Sequence, residues 1–246
     1  VTYNSTTLAV KSINVKKASS PLTIDGNLNE SVWSLDQSAD RILSGTSNNT
    51  STFGVLYDDN YLYVAFKVLD SNLINDSTKP WSDDSVELYL DPNNSKSTTY
   101  DSYDRQFVKG YNDNTLAATQ SGTGVLHGTT NITGGYTVEL AIPWSNLGVT
   151  SVTGSTLGFD VQINDDDDGA GRDNFVSWNN GVSDTNSKDT SNFGNITLSA
   201  TTAISDTTSP SITITSPTTS ATYSTTQSTI NISGTASDNV GVTSIT

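Results

Sequence analysis

Thr52-Phe53-Gly54-Val55-Leu56-Tyr57, then Asp58-Asp59-Asn60, then Tyr61-Leu62-Tyr63-Val64-Ala65-Phe66-Lys67-Val68 reads as a β-hairpin. Two runs rich in β-branched and aromatic residues flank three polar turn formers, and both runs are of strand length. The same signature recurs on either side. Val86–Leu90, Tyr136–Ile142, Leu157–Ile163, Phe175–Trp178 and Asn195–Leu198 are short apolar or alternating runs separated by polar turns. Only two short helical turns are expected, around Asn29–Leu35 and around Trp144–Leu147. Many strands at short spacing without long helices predict an all-β fold, a β-sandwich or jelly roll, rather than βαβ units.

Composition supports this reading. Apolar residues are 33% of the 246, low for a helical protein and suited to strands joined by long Ser, Thr, Asn, Asp and Gly turns. The 26 acidic residues outnumber 11 basic ones, a formal charge of −15. Such a surface repels phosphate backbones and excludes nucleic acid as a natural partner, while suiting neutral glycans and calcium. Cysteine is absent, so neither disulfides nor thiol chemistry is available. No apolar run is long enough to span a membrane. An extracellular protein, secreted or at the cell surface, is expected, with this chain a mature or excised piece of a larger precursor.

The composition breaks near residue 200. All eleven Lys and Arg residues and all four Trp precede it, whereas 25 of the last 46 residues are Ser or Thr. The expected organisation is an N-terminal extension over 1–17, a β-sandwich over 18–200, a linker over 201–210 centred on Asp206-Thr207-Thr208-Ser209-Pro210, and a second β segment over 211–246. In that segment Ser211–Ser216 and Thr229–Gly234 alternate polar and β-branched residues as strands do.

Several motifs, in order, resemble the family 9 carbohydrate-binding modules. They are Ile24-Asp25-Gly26-Asn27-Leu28-Asn29-Glu30 with Trp33, the hairpin Val55–Asp70, Pro80-Trp81-Ser82-Asp83-Asp84-Ser85-Val86-Glu87 with the strand ending at Asp91, Gly135-Tyr136-Thr137-Val138-Glu139, Ile142-Pro143-Trp144, Gly158–Asp165 and Phe193-Gly194-Asn195. The likeness covers roughly residues 18–200. It implies a non-catalytic β-sandwich that binds plant-type polysaccharide or oligosaccharide. Beyond the linker, Ser211–Pro217 and Ile230–Val242 resemble bacterial immunoglobulin-like repeats, of which this stretch supplies too few strands to bury a sandwich core. Such a partial segment could be completed by another copy of the chain through an edge strand.

Candidate site residues follow from both readings. Trp81 sits after Pro80 in a loop and before two Asp residues, so its ring is expected at the surface, where an indole matches the flat C–H face of a sugar. Trp33, Trp144 and Trp178 read as core. Glu87 begins a strand and can accept hydrogen bonds from sugar hydroxyls, and the resemblance assigns Trp81 and Glu87 to the sugar site. Gln106 and Lys109, in Gln106-Phe107-Val108-Lys109, are further candidates, although alternation puts neighbours on opposite faces. Two positions depart from the family: Ser187 stands where a second stacking Trp is expected, and Val108 where an Arg is expected. These departures motivate a second expectation, a structural or adhesive module of a cell-surface layer or filament that has lost sugar binding.

The run Asp165-Asp166-Asp167-Asp168-Gly169 is the densest charge cluster. Adjacent carboxylates repel unless solvated or bridged, and hard oxygen ligands in a turn suit Ca²⁺. Asp165, Asp167 and Asp168 are the candidate ligands of a structural calcium, which the resemblance also implies. An EF-hand is excluded, because Phe175 falls where a bidentate Glu belongs. No residue set points to catalysis: the single His127 lies in an apparent loop, and there is no His or Cys cluster for zinc.

Overall fold

The computed structural model describes residues 9–151, 153–180, 184–203 and 208–238. The chain divides near residue 204 into two units. The first holds β1 (Ser12–Ala18), β2 (Gln37–Ser38), β3 (Arg41–Ser44), β4 (Thr50–Tyr57), β5 (Tyr61–Leu69), β6 (Ser85–Asp91), β7 (Arg105–Gly110), β8 (Ala117–Thr119), β9 (Leu126–Ile132), β10 (Gly135–Pro143), β11 (Thr156–Asp165), β12 (Asn174–Ser177) and β13 (Gly194–Ala203). The second holds β14 (Ser211–Ser216) and β15 (Ser233–Ser237).

The strands of the first unit form one continuous hydrogen-bonded path, β8-β7-β6-β11-β13-β1-β4-β5-β10-β9, with β12 and β3 branching from β11 and β2 pairing β4. Most neighbours are antiparallel. The exception is β1, which runs parallel to β13 from Ser12 opposite Asn195 to Ala18 opposite Ala203, and parallel to β4 at Lys16 and Lys17. The path folds over itself. Phe53, Val64, Phe66 and Leu140 from β4, β5 and β10 share one apolar core with Leu88, Phe107, Phe159 and Val161 from β6, β7 and β11. Phe53 lies at the join, its ring 6.0 Å from each of Phe66, Phe159 and Trp178. Backbone packing there is close: a Cβ on Gly194 would stand 2.3 Å from the Trp178 ring. The result is the expected β-sandwich.

The hairpin Thr50–Tyr57 and Tyr61–Leu69 turns at Asp58, whose Oδ1 accepts from Asn60 N at 2.7 Å and Tyr61 N at 2.8 Å. Such an Asx turn is what the polar triplet encodes. The short helix α1 (Trp144–Leu147) is present, closed by Gly148 at φ +68. Trp144 and Trp178 are buried.

Five local expectations need correction. Residues 29–35 do not form a helical turn but an irregular strap, in which Trp33 N donates to Glu30 O at 3.1 Å. Its apolar side chains Val32 and Trp33 are held by a small second cluster around Leu56, Tyr63 and Ala141, and Trp33 is half-buried rather than core. His127 lies on β9 opposite Leu140, not in a loop. Ser12–Ala18, inside the expected extension, is a strand of the sandwich between β13 and β4. In the second unit the strand is Ser233–Ser237 rather than Thr229–Gly234, and Ile230 and Ile232 are exposed. Alternation fixes a strand only where a layer buries the apolar face, and no described residue buries these two. Asp206-Thr207 of the linker and Asn239–Val242 of the immunoglobulin-like motif lie outside the described residues.

Candidate functional site

Alternation along β6 and β7 turns Leu88 and Phe107 into the core, so Glu87 and Gln106 lie on the outer face. There they floor a cleft of about 360 Å³ whose walls include Trp81, Thr119, Arg172 and Asp184, with Tyr89 and Ser187 completing the lining.

Each wall is set by buried carboxylates that tie down its loop. Trp81 stands on a 3-10 turn, Pro80–Ser82, in the segment between β5 and β6, and is 43% exposed. That segment is braced by Asp83, which accepts from Ser77 N at 3.0 Å, and by Asp84, which accepts from Ile74 N at 2.6 Å. The opposite loop, carrying Asp184 and Ser187, hangs on Asp160 of β11. Its buried carboxylate accepts from the backbone N–H of Asn179 and Asn180 and from Asn186 Nδ2. Burial raises the Asp160 carboxyl to about 6, and these donors oppose the rise.

A continuous hydrogen-bonded chain crosses the floor. Arg172 donates to Asp184 Oδ2 at 2.7 Å and to Asn164 Oδ1 at 2.9 Å. Asn164 in turn donates to Glu87 Oε1 at 2.7 Å, and Gln106 and Tyr89 donate to Glu87 Oε2, each at 2.6 Å. Thr119 donates to Gln106 Oε1 at 3.0 Å. The Arg172 guanidinium also lies 3.8 Å over the Phe175 ring, which fixes its plane. An ionised carboxylate offers about four acceptor positions, and three on Glu87 are already filled. Glu87 thus organises the floor as much as it offers itself to a ligand. Asp184 and Glu87 against Arg172 leave the cleft with one net negative charge. The arrangement is an indole plane beside an ordered polar floor, suited to a flat, neutral, hydroxyl-rich ligand.

Trp81, Glu87 and Gln106 therefore meet in one cleft, as their motifs suggest, while Lys109 does not. It lies on the other face of β7, 1% exposed, its ammonium donating to the backbone carbonyls of Asp113 and Thr115. Val108 sits opposite Glu87 and is buried. Arg172 was missed by the sequence reading. It sits in an Asp/Gly-rich turn that reads as solvated, and its only signal is being the sole cation of that turn. Asp184, also missed, is the ion-pair partner of Arg172.

Beside the cleft, the β11–β12 turn gathers carboxylates from distant segments. Asp165 and Asp167 approach Asp70, and Asp166 joins both Asp76 with Asp83 and Asp168 with Asp173, each trio having ligand atoms within 4.8 Å. The trios thus include the expected Asp165, Asp167 and Asp168, with partners that adjacency in sequence could not supply. One oxygen each of Asp70, Asp84, Asp165 and Asp166 is buried without a donor among the described residues. Burial and mutual repulsion push the Asp84 and Asp165 carboxyls up, Asp70 being the charged neighbour of both. Orphaned, mutually repelling carboxylate oxygens are the donor set of a hard divalent cation, so these residues fit one.

An aromatic platform and a polar floor on the outside of a β-sandwich are the features of a ligand-binding module. Residues 24–201 match the family described as "Carbohydrate family 9 binding domain-like", and the chain belongs to that family of non-catalytic modules. Residues 210–246 match the family described as "Bacterial Ig domain". Among relatives, "Exoglucanase XynX" of Acetivibrio thermocellus is 39% identical over 63% of this chain, and "Endo-1,4-beta-xylanase A" of Thermoanaerobacterium saccharolyticum is 36% identical over 71%. The chain spans only 14% and 15% of those two proteins. Two solved structures of a family 9 module from Caldicellulosiruptor kristjanssonii are similar. The cellotriose complex has a TM-score of 0.67 at 29% identity, covering 77% of this chain and 94% of that one. The glucose complex has a TM-score of 0.69 at 30% identity, covering 77% and 96%.

Proposed function

We propose that the first unit binds β-linked plant-type polysaccharide or its oligosaccharides in the Trp81 cleft, as the targeting module of a larger extracellular protein. The observation that carries this is the exposed Trp81 ring beside the chain of hydrogen bonds from Asp184 to Thr119. A sugar ring stacks on Trp81, and its hydroxyls are read by Gln106, Arg172, Asp184 and the remaining acceptor position of Glu87. With Ser187 in place of a second ring, stacking is one-sided and affinity modest, since one plane leaves little surplus over ordering costs.

A structural calcium belongs to the same reading. Asp70, Asp165 and Asp167, with the trios around Asp166, would hold it. Its charge would relieve repulsion in the turn that carries Arg172 to the floor, so the ion supports the cleft indirectly. For the second unit, β14 and β15 pair only with each other among the described residues. The outer edges this leaves support strand addition from another copy of the chain.

The test is a glycan titration in calcium, intact chain against Trp81→Ala, with xylan, cellulose and soluble oligosaccharides. Loss of at least about tenfold in affinity with an unchanged fold locates the site. Equal binding by both proteins overturns it, and absence of binding to every glycan transfers the reading to a structural role.

A further inference from the structure

The opposite face of the sandwich carries a second cleft, of about 590 Å³, lined by Asn27, Asn29, Glu30, Trp33, Lys67 and Ile132 among others. Val64, Phe66, Val138 and Leu140 face the core, so Lys67 of β5 and Glu139 of β10 face outward on that half. The Trp81 cleft lies on the outer side of β6 and β7. The two clefts share no residue.

Three features mark the second cleft as built. Trp33 is half-buried and fixed: its Nε1 donates to Glu139 Oε1 at 3.0 Å, and Glu139 Oε2 accepts from Gly26 N at 2.9 Å and Asp25 N at 3.1 Å. The indole N–H being satisfied inside the protein, only the apolar part of the ring is left for a ligand. The strap is clamped to the sheet without slack. A Cβ on Gly128 would fall 2.4 Å from the Asp25 carbonyl carbon, one on Gly54 2.4 Å from Ser34 O, and Gly26 itself is at φ +87. Finally, Glu30 Oε2 is shielded from solvent and has no donor among the described residues. An unmet buried acceptor is unfavourable, and a ligand hydroxyl at Glu30 would supply the missing donor.

The opposed charges of Glu30 and Lys67 offset each other, and the remaining polar groups are the Asn27 and Asn29 amides. Indole, carboxylate, amide and cation are the side-chain types that also line the Trp81 cleft. We infer that the Trp33 cleft is a second glycan site, taking a neutral pyranose segment against the indole with its hydroxyls on Glu30, Asn29 and Lys67. This rests on the chain being a glycan binder but not on Trp81 being the residue that binds. Two sites on opposite faces hold two polysaccharide strands at once, so the module gains avidity on a fibre that neither site has alone.

The experiment follows the four indole N–H resonances during titration of the full chain with cellotriose and, separately, xylotriose. The proteins are wild type, Trp81→Ala, and Asn29→Ala with Lys67→Ala, two exposed changes that leave the strap's anchor at Glu139 intact. The expected result is movement of the Trp33 resonance in wild type and in Trp81→Ala, with affinity reduced at least about fivefold in the Asn29/Lys67 variant while the Trp81 resonance still responds. A Trp33 resonance unmoved by either sugar at saturation overturns the second site, as does movement that disappears with Trp81→Ala. A Trp33 response without any from Trp81 would keep this site and remove the first.

Discussion

The two units are written in the same alphabet of alternating β-branched residues, yet among the described residues only the first has a core. In the first, Phe53, Phe66, Leu88, Phe107 and Phe159 are wholly buried between layers. In the second, Ile212, Ile214, Tyr223, Ile230 and Ile232 are all exposed, two of them on a strand paired with a single partner. Period-2 alternation therefore chooses which side of a strand is apolar. Stability comes from a second layer that covers that side.

Four measurements probe the difference between the covered and the uncovered unit. The largest effect is expected at Trp178→Ala. Removing a ring that packs on Phe53 and Phe159 should cost about 3–5 kcal/mol, read by chemical denaturation as loss of the sandwich transition. Calcium comes next. Chelation should lower the melting temperature of the first unit, and calcium at a hundredfold excess over its dissociation constant should restore about 2.7 kcal/mol. Calorimetry that shows no calcium response would leave the acidic turn without its cation.

Third is a pH effect at Glu139 of the first unit. Burial raises this carboxyl from 4.5 to about 7. A carboxyl raised on folding favours the folded state while protonated, so its contribution is whole below the ordinary value and lost as pH rises through about 7. The expected size is of order 1–3 kcal/mol. The stability of wild type relative to Glu139→Gln, measured across that window, should therefore fall as pH rises. The smallest effect is at Ile214→Ser, 48% exposed, where a change within about 0.5 kcal/mol is expected. A larger loss there would mean that the second unit is covered after all.

What the sequence disclosed follows local chemistry. The hairpin through Asp58 was readable because its turn residues do their work within three positions of one another. Trp81 was readable because Pro80 places it in a loop ahead of a strand, although the two Asp residues that follow turned out to be buried braces of that loop. Lys109 misled, since a cation next to a site motif looks available until the pleat turns it towards the backbone carbonyls of Asp113 and Thr115. The carboxylate partners Asp70 and Asp83 were hidden because they are far in sequence from Asp165 and Asp166, to which only the closing of the sheet path brings them. Arg172 was hidden differently: its partners Asn164 and Asp184 are near in sequence, but its acidic turn reads as solvated. Trp33 was taken for core because nothing nearby announces Glu139, more than a hundred positions later, as the acceptor that holds its indole at the surface.

The parallel pairing of β1 with β13 carries a mechanical consequence. Ser12 lies opposite Asn195 and Ala18 opposite Ala203, so the chain enters β1 at one end of the pair and leaves β13 at the other, about 20 Å away. Tension applied through the flanking segments slides the two strands past each other. It loads their hydrogen bonds together, in shear, instead of peeling them one at a time. A module tethered between an anchored partner and a moving one would thus resist tugging along its strongest direction.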